Sequence, residues 1–332
     1  MQVETSTIPI PPLTRPLGRH IGTGPGMSQA IAQAKEIGCT AAQIFPGNPK
    51  GWRHTPLPPE RATAGRLGWA EAGVAPLTIH APYLINLASP DDNLYANSTQ
   101  GVRNSLSRGV ELGAPFVTVH LGSHKGTGPE AGAARLIAAT HAALEGMPDW
   151  LYLLLENNVG AGNSMGNTLD ALGNLVRDAA HPHIGVCIDT AHLWGAGYDL
   201  TTAEGVDRAV SEIDRAIGLQ HVRVLHINDS PMGLDSHRDQ HTYLGQGNIG
   251  YEGLAAVLTH PGLAGIPAIL ETPDGGPEEE LIRLRTAALL SAGDAEGARA
   301  YQEAALPTGS DESGTVPGDD TDGSDSGTAA LP

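Results

Sequence analysis

The stretch "LYLLLENNVGAGNSMGNTLDALGNLVRDAAHPHIGVCIDT" (151–190) contains the pattern that decides the fold. Two short apolar runs, 151–156 and 184–190, flank a segment at 168–178 in which apolar residues recur at helical spacing. Strands this apolar are buried on both faces, which is typical of a parallel sheet covered by helices. The stretch therefore predicts a strand, a crossover helix and a second strand parallel to the first.

The same unit recurs along the chain. Further apolar runs predict strands at 17–22, 40–45, 76–80, 115–120, 222–228 and 267–271. Helical patterns lie between them, at 28–37, 97–112, 130–145, 202–217, 251–259 and 278–292. Eight strands that alternate with helices predict an α/β protein with a closed (β/α)8 TIM barrel rather than an open doubly wound sheet.

Composition divides the chain into three parts. Residues 307–332 carry six acidic residues and no basic one, and they are rich in Gly, Ser, Asp and Thr. Such a segment cannot bury enough apolar surface to offset its ordering entropy. We expect a flexible N-terminal arm at 1–16, a barrel catalytic domain at 17–300 and an acidic disordered tail at 301–332.

Charge and cysteine content restrict the function. The formal net charge is −18, which by itself argues against a nucleic-acid partner because phosphates attract Lys and Arg. The two cysteines exclude a disulfide framework. We find neither a signal peptide nor an apolar run of the length that crosses a membrane. These features predict a cytoplasmic protein without a membrane partner.

Most of the predicted strands end in a residue that can bind a metal. The candidates are five histidines, two glutamates and two aspartates: His80, His120, Glu156, Asp189, His192, His226, Asp239, His241 and Glu271. In a parallel barrel all strand C-termini open on one face, so these side chains should converge there. Four carboxylates in one pocket repel one another unless cations neutralise them. Imidazole with carboxylate suits Zn²⁺, and also Mn²⁺, Fe²⁺ or Co²⁺.

The stretch "DQHTYLGQGNIG" (239–250) also contains G-x-G-x-x-G, which in dinucleotide-binding folds cradles a pyrophosphate. That loop must follow a buried strand directly and have an acidic residue ~20 positions further on. The segment before these glycines, "SHRDQH" (236–241), is not a buried apolar strand, so we predict no nucleotide cofactor. Gly245, Gly247 and Gly250 are expected to turn the chain back from the metal site, and they could also let the backbone approach a phosphate of the substrate.

These residues, with the motifs around them, resemble the endonuclease IV family of zinc-dependent abasic-site endonucleases (AP endonuclease family 2). The matching stretches are "HAPYLINLASPD" (80–91), "ELGAPFVTVHLGSH" (111–124), "LLLENNVGAGNSMG" (153–166), "GVCIDTAHLWGAGYD" (185–199), "LHINDSPMGLDSHRDQHTYLGQGNIG" (225–250) and "LETPD" (270–274). The resemblance implies a TIM barrel with three Zn²⁺ ions at the C-terminal face, with Mn²⁺ possible at one site.

The resemblance also implies which residues bind each ion. His80, His120 and Glu156 would hold the first. Glu156 would bridge to the second, which Asp189, His226 and Glu271 complete. His192, Asp239 and His241 would hold the third. Of these residues Glu156, Asp189 and Glu271 are expected to be catalytic.

For the reaction, the resemblance implies a DNA repair endonuclease acting in base excision repair. We expect it to hydrolyse the phosphodiester bond 5′ of an abasic site in duplex DNA, to leave 3′-hydroxyl and 5′-deoxyribose phosphate ends, and also to trim blocked 3′ ends. This is a hydrolase acting on ester bonds. We expect a monomer, because DNA must reach an open barrel face.

Two loops resemble the family's DNA-contacting loops. Tyr83 and Leu84 follow His80 and match residues that enter the DNA helix. Asn48 and Lys50 lie in "IFPGNPKGW" (44–52), which matches the loop that fills the gap in the DNA from the other side. Lys50 stands where an Arg is frequent in the family. Gln240, between Asp239 and His241, also replaces an Arg that is common there. Lysine lacks the planar guanidinium that stacks on bases.

Two other functions stay open at this point. A sugar isomerase of the xylose-isomerase type shares the barrel and its metal-bearing strand ends, but five histidines among nine ligands favour phosphodiester cleavage. A lesion-binding or metal-buffering protein without activity would retain the scaffold, although all nine ligand positions are filled.

Overall fold

A computed structural model describes residues 8–306, and they form a closed barrel. The strands are β1 (Leu17–His20), β2 (Ala41–Ile44), β3 (Leu77–His80), β4 (Phe116–Val119), β5 (Tyr152–Glu156), β6 (Ile184–Asp189), β7 (Val222–His226) and β8 (Ala268–Leu270). Each pairs in parallel with the next along the chain, and β8 closes on β1 through Leu17 and Ala268. The predicted fold class and all eight strands are confirmed.

Helices surround the barrel. They are α1 (Met27–Ile37), α2 (Pro59–Glu71), α3 (Asp92–Leu112), α4 (Pro129–Leu144), α5 (Leu169–Ala179), α6 (Thr190–Gly195), α7 (Ala203–Ala216), α8 (Gly250–Thr259), α9 (Pro277–Ser291) and α10 (Ala295–Ala305). The sequence did not predict α2, α6 or α10. α2 has only Ala62, Gly65 and Trp69 buried, α6 is six residues long, and α10 is rich in Ala.

The ends of the described region lie against the barrel. The sequence assigned residues 8–16 to a flexible arm, but Arg15 is buried and donates hydrogen bonds to the backbone oxygens of Leu258 and Ile266. The expected domain limit at residue 300 falls inside α10, whose Tyr301 is buried. Residues 1–7 and 307–332, which hold the rest of the expected arm and most of the tail, lie outside the described residues. Among the helices of residues 8–306, none combines the length and apolar character needed to cross a membrane.

The alternation of side chains along the strands positions the residues at the strand ends. Ala41, Leu154, Cys187, Val224 and Ile269 form a small buried cluster of their own, apart from the main core that contains Leu153 and Leu155. Side chains two positions apart on a strand share a face. The residues two positions after these five therefore share the cluster's face at the strand C-termini: Gln43, Glu156, Asp189, His226 and Glu271.

Candidate metal centre

The first group of candidate ligands joins the ends of three adjacent strands. His80 ends β3, His120 follows β4 and Glu156 ends β5. The Nε2 atoms of His80 and His120 lie 3.3 and 3.1 Å from Oε2 of Glu156. One ligand atom from each residue lies within 4.8 Å of the others, which is the spacing that a single metal ion requires.

The second group uses the other oxygen of Glu156. His226 Nδ1 lies 2.8 Å from Glu156 Oε1 and 3.1 Å from Glu271 Oε2. Asp189 completes the group, and all four residues offer atoms within 4.8 Å of one another. Because Glu156 belongs to both groups and is 1% exposed, it lies between the two candidate sites.

The third group lies where the centre opens to solvent. Asp239 faces two imidazoles, with 3.2 Å from its Oδ2 to His192 Nε2 and 3.2 Å from its Oδ1 to His241 Nε2. Asp189 also belongs to this group, because its Oδ2 lies 3.6 Å from His241 Nε2. The structure thus brings together all nine residues that the sequence singled out.

The imidazoles are held so that one nitrogen of each faces carboxylates. Nδ1 of His80, His192 and His241 donates to the backbone oxygens of Ala81, Asn157 and Glu271 at 2.7, 2.9 and 3.3 Å. The second nitrogen of each ring then points at the centre. Fixing the ring through its other N–H is how proteins orient metal-binding histidines.

One buried atom indicates that the arrangement suits a cation. His241 Nε2 lies within 3.6 Å of two carboxylates, yet among the described residues it has no hydrogen-bond partner of acceptable geometry. A nitrogen lone pair directed between carboxylate oxygens is the donor set that a divalent transition metal binds. The residues present therefore fit metal ions.

The charges of the centre are arranged as buried ion pairs. Burial alone would raise the pKa of Glu156, but His120 and His226 outweigh it and hold that pKa well below its usual value. The pKa of Asp239 is likewise lowered, because His192 outweighs the effect of burial. The neighbouring imidazoles thus favour the ionised form of Glu156 and Asp239, and a metal ion would take the place of protons on those imidazoles.

Cys187 lies beneath the second group, within ligand distance of Glu156 and His226. Burial raises the pKa of its thiol to about 12. A protonated sulfur is a poor ligand, so the side chain acts as a small buried apolar group.

Two buried amides that were not predicted from the sequence hold Asp189 and Glu271 in place. Asn228 is fully buried; it donates to Asp189 Oδ2 at 2.6 Å and accepts from the backbone N–H of Glu271 at 2.9 Å. Asn157 donates to the backbone oxygen of Asp189 and accepts from its N–H. Asn157 follows β5 by one residue and Asn228 follows β7 by two, a signal that could have identified them.

The glycine-rich stretch after His241 binds an internal carboxylate. The backbone N–H groups of Gly245, Gly247 and Gly250 donate to Asp229 Oδ2 at 3.0, 3.0 and 3.2 Å, and that of Ile249 donates to Oδ1. Gly245 and Gly250 have positive φ, as the expected tight turn requires. The three glycine amides are used within the protein, so the loop does not offer them to a phosphate. The expectation that this backbone could approach a phosphate of the substrate is therefore wrong.

Gly247→Ala should destabilise the loop, because a Cβ there would lie 2.3 Å from Asp229 Oδ1 and 2.5 Å from the Ser230 oxygen. We expect a loss of about 1–3 kcal/mol in the free energy of unfolding, the usual cost of overpacking, measured by denaturant titration. Gly233→Ala is the control, since a Cβ there meets nothing within 4 Å. Equal stability of the two variants would contradict the role of Asp229.

The loops expected to contact DNA flank the centre on its open side. Tyr83 and Leu84 are 44% and 36% exposed, and the Tyr83 ring lies 6.4 Å from that of His120. Asn48 and Lys50 are exposed, and the Asn48 side chain accepts from the Lys50 backbone N–H at 3.0 Å.

A barrel with several metal-binding groups at its C-terminal face defines the class of xylose isomerase-like TIM barrels, and the family model of that description matches residues 31–291. A protein from Methanoculleus marisnigri named "Probable endonuclease 4" is 42% identical over 260 residues, which are 77% of this chain and 92% of that protein. One of the same name from Chloroflexus aurantiacus is 37% identical, with 78% and 91% covered.

Among solved structures, endonuclease IV from Thermus thermophilus superimposes with a TM-score of 0.72 at 35% identity, covering 88% of this chain and 99% of that one. A xylose isomerase domain protein from Planctomyces limnophilus gives 0.62 at 18% identity and shares the fold alone. The chain belongs to the endonuclease IV family. It is a DNA-cleaving hydrolase. The family and the enzyme class expected from the sequence are confirmed.

Proposed function

We propose that this enzyme hydrolyses the phosphodiester bond 5′ of abasic sites in duplex DNA by means of three bound zinc ions. The observation that carries the proposal is the set of three ligand groups at the barrel mouth, joined by shared carboxylates. The family to which the chain belongs supports it. One site could take Mn²⁺, because carboxylate and imidazole ligands suit that ion as well.

We assign the ligands to the three ions as the family resemblance implies. His80, His120 and Glu156 would hold one ion. Asp189, His226 and Glu271, again with Glu156, would hold the second. His192, Asp239 and His241 would hold the third, with Asp189 beside them.

Bound zinc ions would supply a nucleophilic hydroxide at neutral pH and stabilise the charge that develops on the phosphate oxygens. The protein's part is to hold the ligands and to aim them. Glu156 presents one oxygen to each of two groups, and Asn228 fixes the Asp189 carboxylate beside Glu271. The expected products are a 3′-hydroxyl and a 5′-deoxyribose phosphate, and the same chemistry would trim blocked 3′ ends.

The distribution of basic residues supports a DNA partner despite the net charge of −18. The loops at the C-terminal ends of the strands carry Lys50, Arg53, Lys125 and Arg238, all exposed. Within residues 8–306, the loops at the opposite end carry no Lys or Arg apart from the buried Arg15. The exposed bases of the loops thus lie on the face that bears the metal groups, where each can contact a phosphate of the DNA backbone.

Arg238 adjoins Asp239, and in residues 8–306 no carboxylate lies within ion-pair distance of it. Arg238→Gln should reduce the slope of log Kd against log salt for duplex binding by about one unit, as for the loss of one phosphate contact. Arg208→Gln, a like change on the exposed face of α7, should leave the slope unchanged. Fluorescence anisotropy over a salt series makes the comparison, and equal slopes for both variants would refute the contact.

We propose that Tyr83 and Leu84 enter the duplex beside the abasic nucleotide, with Asn48 and Lys50 on the other side. Removing a nucleotide from the stack costs least where no base is paired. The side chains that fill the gap would then favour the abasic site over intact DNA.

Tyr83→Ala should lower kcat/KM on an abasic duplex by about 5- to 150-fold, the effect of losing one base–aromatic stack of about 1–3 kcal/mol. Trp150→Ala is the control, because Trp150 is 46% exposed and lies in the loop before β5, at the opposite end of the barrel. Steady-state incision assays give both values. Equal kcat/KM in the Tyr83 variant and the wild type would exclude stacking by this ring.

We also propose that the enzyme acts as a monomer, since the face with the metal groups must admit a duplex. Incision of a duplex with one tetrahydrofuran abasic analogue tests the function as a whole. Cleavage immediately 5′ of the analogue, with none in the undamaged duplex, is expected. A zinc-loaded enzyme that leaves the analogue uncut, or that isomerises a sugar instead, would overturn the proposal.

A further inference from the structure

Two of the eight strands, β1 and β2, contribute no residue to the metal groups. β1 ends in His20, and β2 places Gln43 at the same face as the small inner cluster, two positions after Ala41. Gln43 is completely buried. A buried amide must be hydrogen-bonded or it destabilises the fold, so its partners indicate its role.

All four hydrogen-bonding positions of the Gln43 amide are used. Its Nε2 donates to Glu271 Oε1 at 2.6 Å and contacts His20 Nδ1 at 3.2 Å. Its Oε1 lies 3.0 Å from His226 Nε2 and accepts from the Thr78 hydroxyl at 3.3 Å. Two of these partners, Glu271 and His226, belong to the second metal group.

The chemistry of the partners fixes which way the amide points. The Glu271 carboxylate only accepts, so the NH₂ group must face it. The amide oxygen therefore faces His226, whose Nε2 must carry a hydrogen in order to donate. The other nitrogen, Nδ1, is left directed at the Glu156 and Glu271 oxygens, 2.8 and 3.1 Å away.

We propose that Gln43 is a positioning residue for the second metal site. It selects the His226 tautomer that binds through Nδ1, and it holds Glu271 in place for the same ion. The assignment rests on the function proposed above. Substituting groups that orient metal ligands typically weakens metal binding by about 10- to 100-fold.

Few residues could replace Gln43. A methionine fills the space but neither donates to Glu271 nor accepts from His226. A glutamate still accepts from His226, but it places a second carboxylate oxygen at the 2.6 Å contact with Glu271 Oε1, where like charges repel. Both changes should weaken the second site while leaving the ligands of the other two groups intact.

Zinc affinity tests the assignment with Gln43→Met and Gln43→Glu. A chromophoric chelator competes for zinc with each metal-free variant, and circular dichroism checks that both fold. We expect one of three sites to weaken by about 10- to 100-fold. At low free zinc kcat should fall with KM for the abasic duplex unchanged, and excess zinc should restore kcat. Gln100→Glu, the same change on the exposed face of α3, should match the wild type.

Two results would overturn the role of Gln43. The first is that either variant binds three zinc ions as tightly as the wild type. The second is that the activity of a variant stays low with all three sites filled. In both cases wild-type cleavage of the abasic duplex would leave the proposed function standing. A wild-type chain that binds no zinc would instead refute the function, and the role of Gln43 with it.

Discussion

Glu156→Gln is expected to slow incision of an abasic duplex by about 10³-fold or more. Losing a single electrostatic contact to the transition state costs about 10²- to 10³-fold, and Glu156 serves two metal groups. Its two oxygens lie 2.8 to 3.3 Å from nitrogens of His226, His120 and His80. An amide can offer one oxygen only, and its NH₂ group would face either a cation or an imidazole.

Single-turnover incision with enzyme in excess measures this effect without a contribution from product release. Glu252→Gln is the matched control, because that carboxylate is 63% exposed and pairs with Arg299 on the outer surface. The control should cleave at the wild-type rate, since exposed ion pairs contribute little. A Glu156→Gln enzyme within tenfold of the wild type would show that this carboxylate does not join two sites.

Removal of the metal ions should have a comparable effect. Glu156, Asp189, Asp239 and Glu271 converge on a small volume, and bound cations would offset their repulsion. Prolonged dialysis against a chelator should abolish incision, whereas a brief exposure should leave it unchanged because His80, Glu156 and His226 of the first two groups are buried. Ligand linkage predicts that each site filled at 1,000 times its Kd adds about 4 kcal/mol to the free energy of unfolding.

Incision and thermal unfolding are measured on the same dialysed samples, before and after zinc is added back. Addition of zinc should restore both activity and stability. Magnesium serves as the control, because it prefers all-oxygen ligands and an octahedral site, and should restore neither. Full activity in a sample whose zinc has been removed would contradict a metal-dependent mechanism.

The barrel could be predicted from the sequence because its strands are short, apolar and regularly spaced. The ligands could be predicted because parallel strands open on one face, so that a His, Glu or Asp at each strand end converges with the others. The three missed helices carry weak signals: α2 buries only Ala62, Gly65 and Trp69, α6 is a single short segment after Asp189, and α10 presents mostly Ala and Gly.

Other features depend on contacts that no local pattern reveals. Asp229 follows a strand like the ligands around it, yet its carboxylate accepts from the glycine-rich loop about 20 residues later. Gln43 belongs to an apolar run, and only the closed barrel brings it to Glu271, 228 positions away. The charge of −18 is likewise a property of the whole chain, whereas binding depends on which loops carry the basic residues.

The zinc content of the purified chain, measured by plasma emission spectrometry beside its incision rate on the abasic duplex, tests the central claim most directly. Three zinc ions per chain in the active enzyme are expected, or two with one Mn²⁺. An enzyme that cleaves at its full rate with one metal ion per chain, or with none, would contradict the three-site centre.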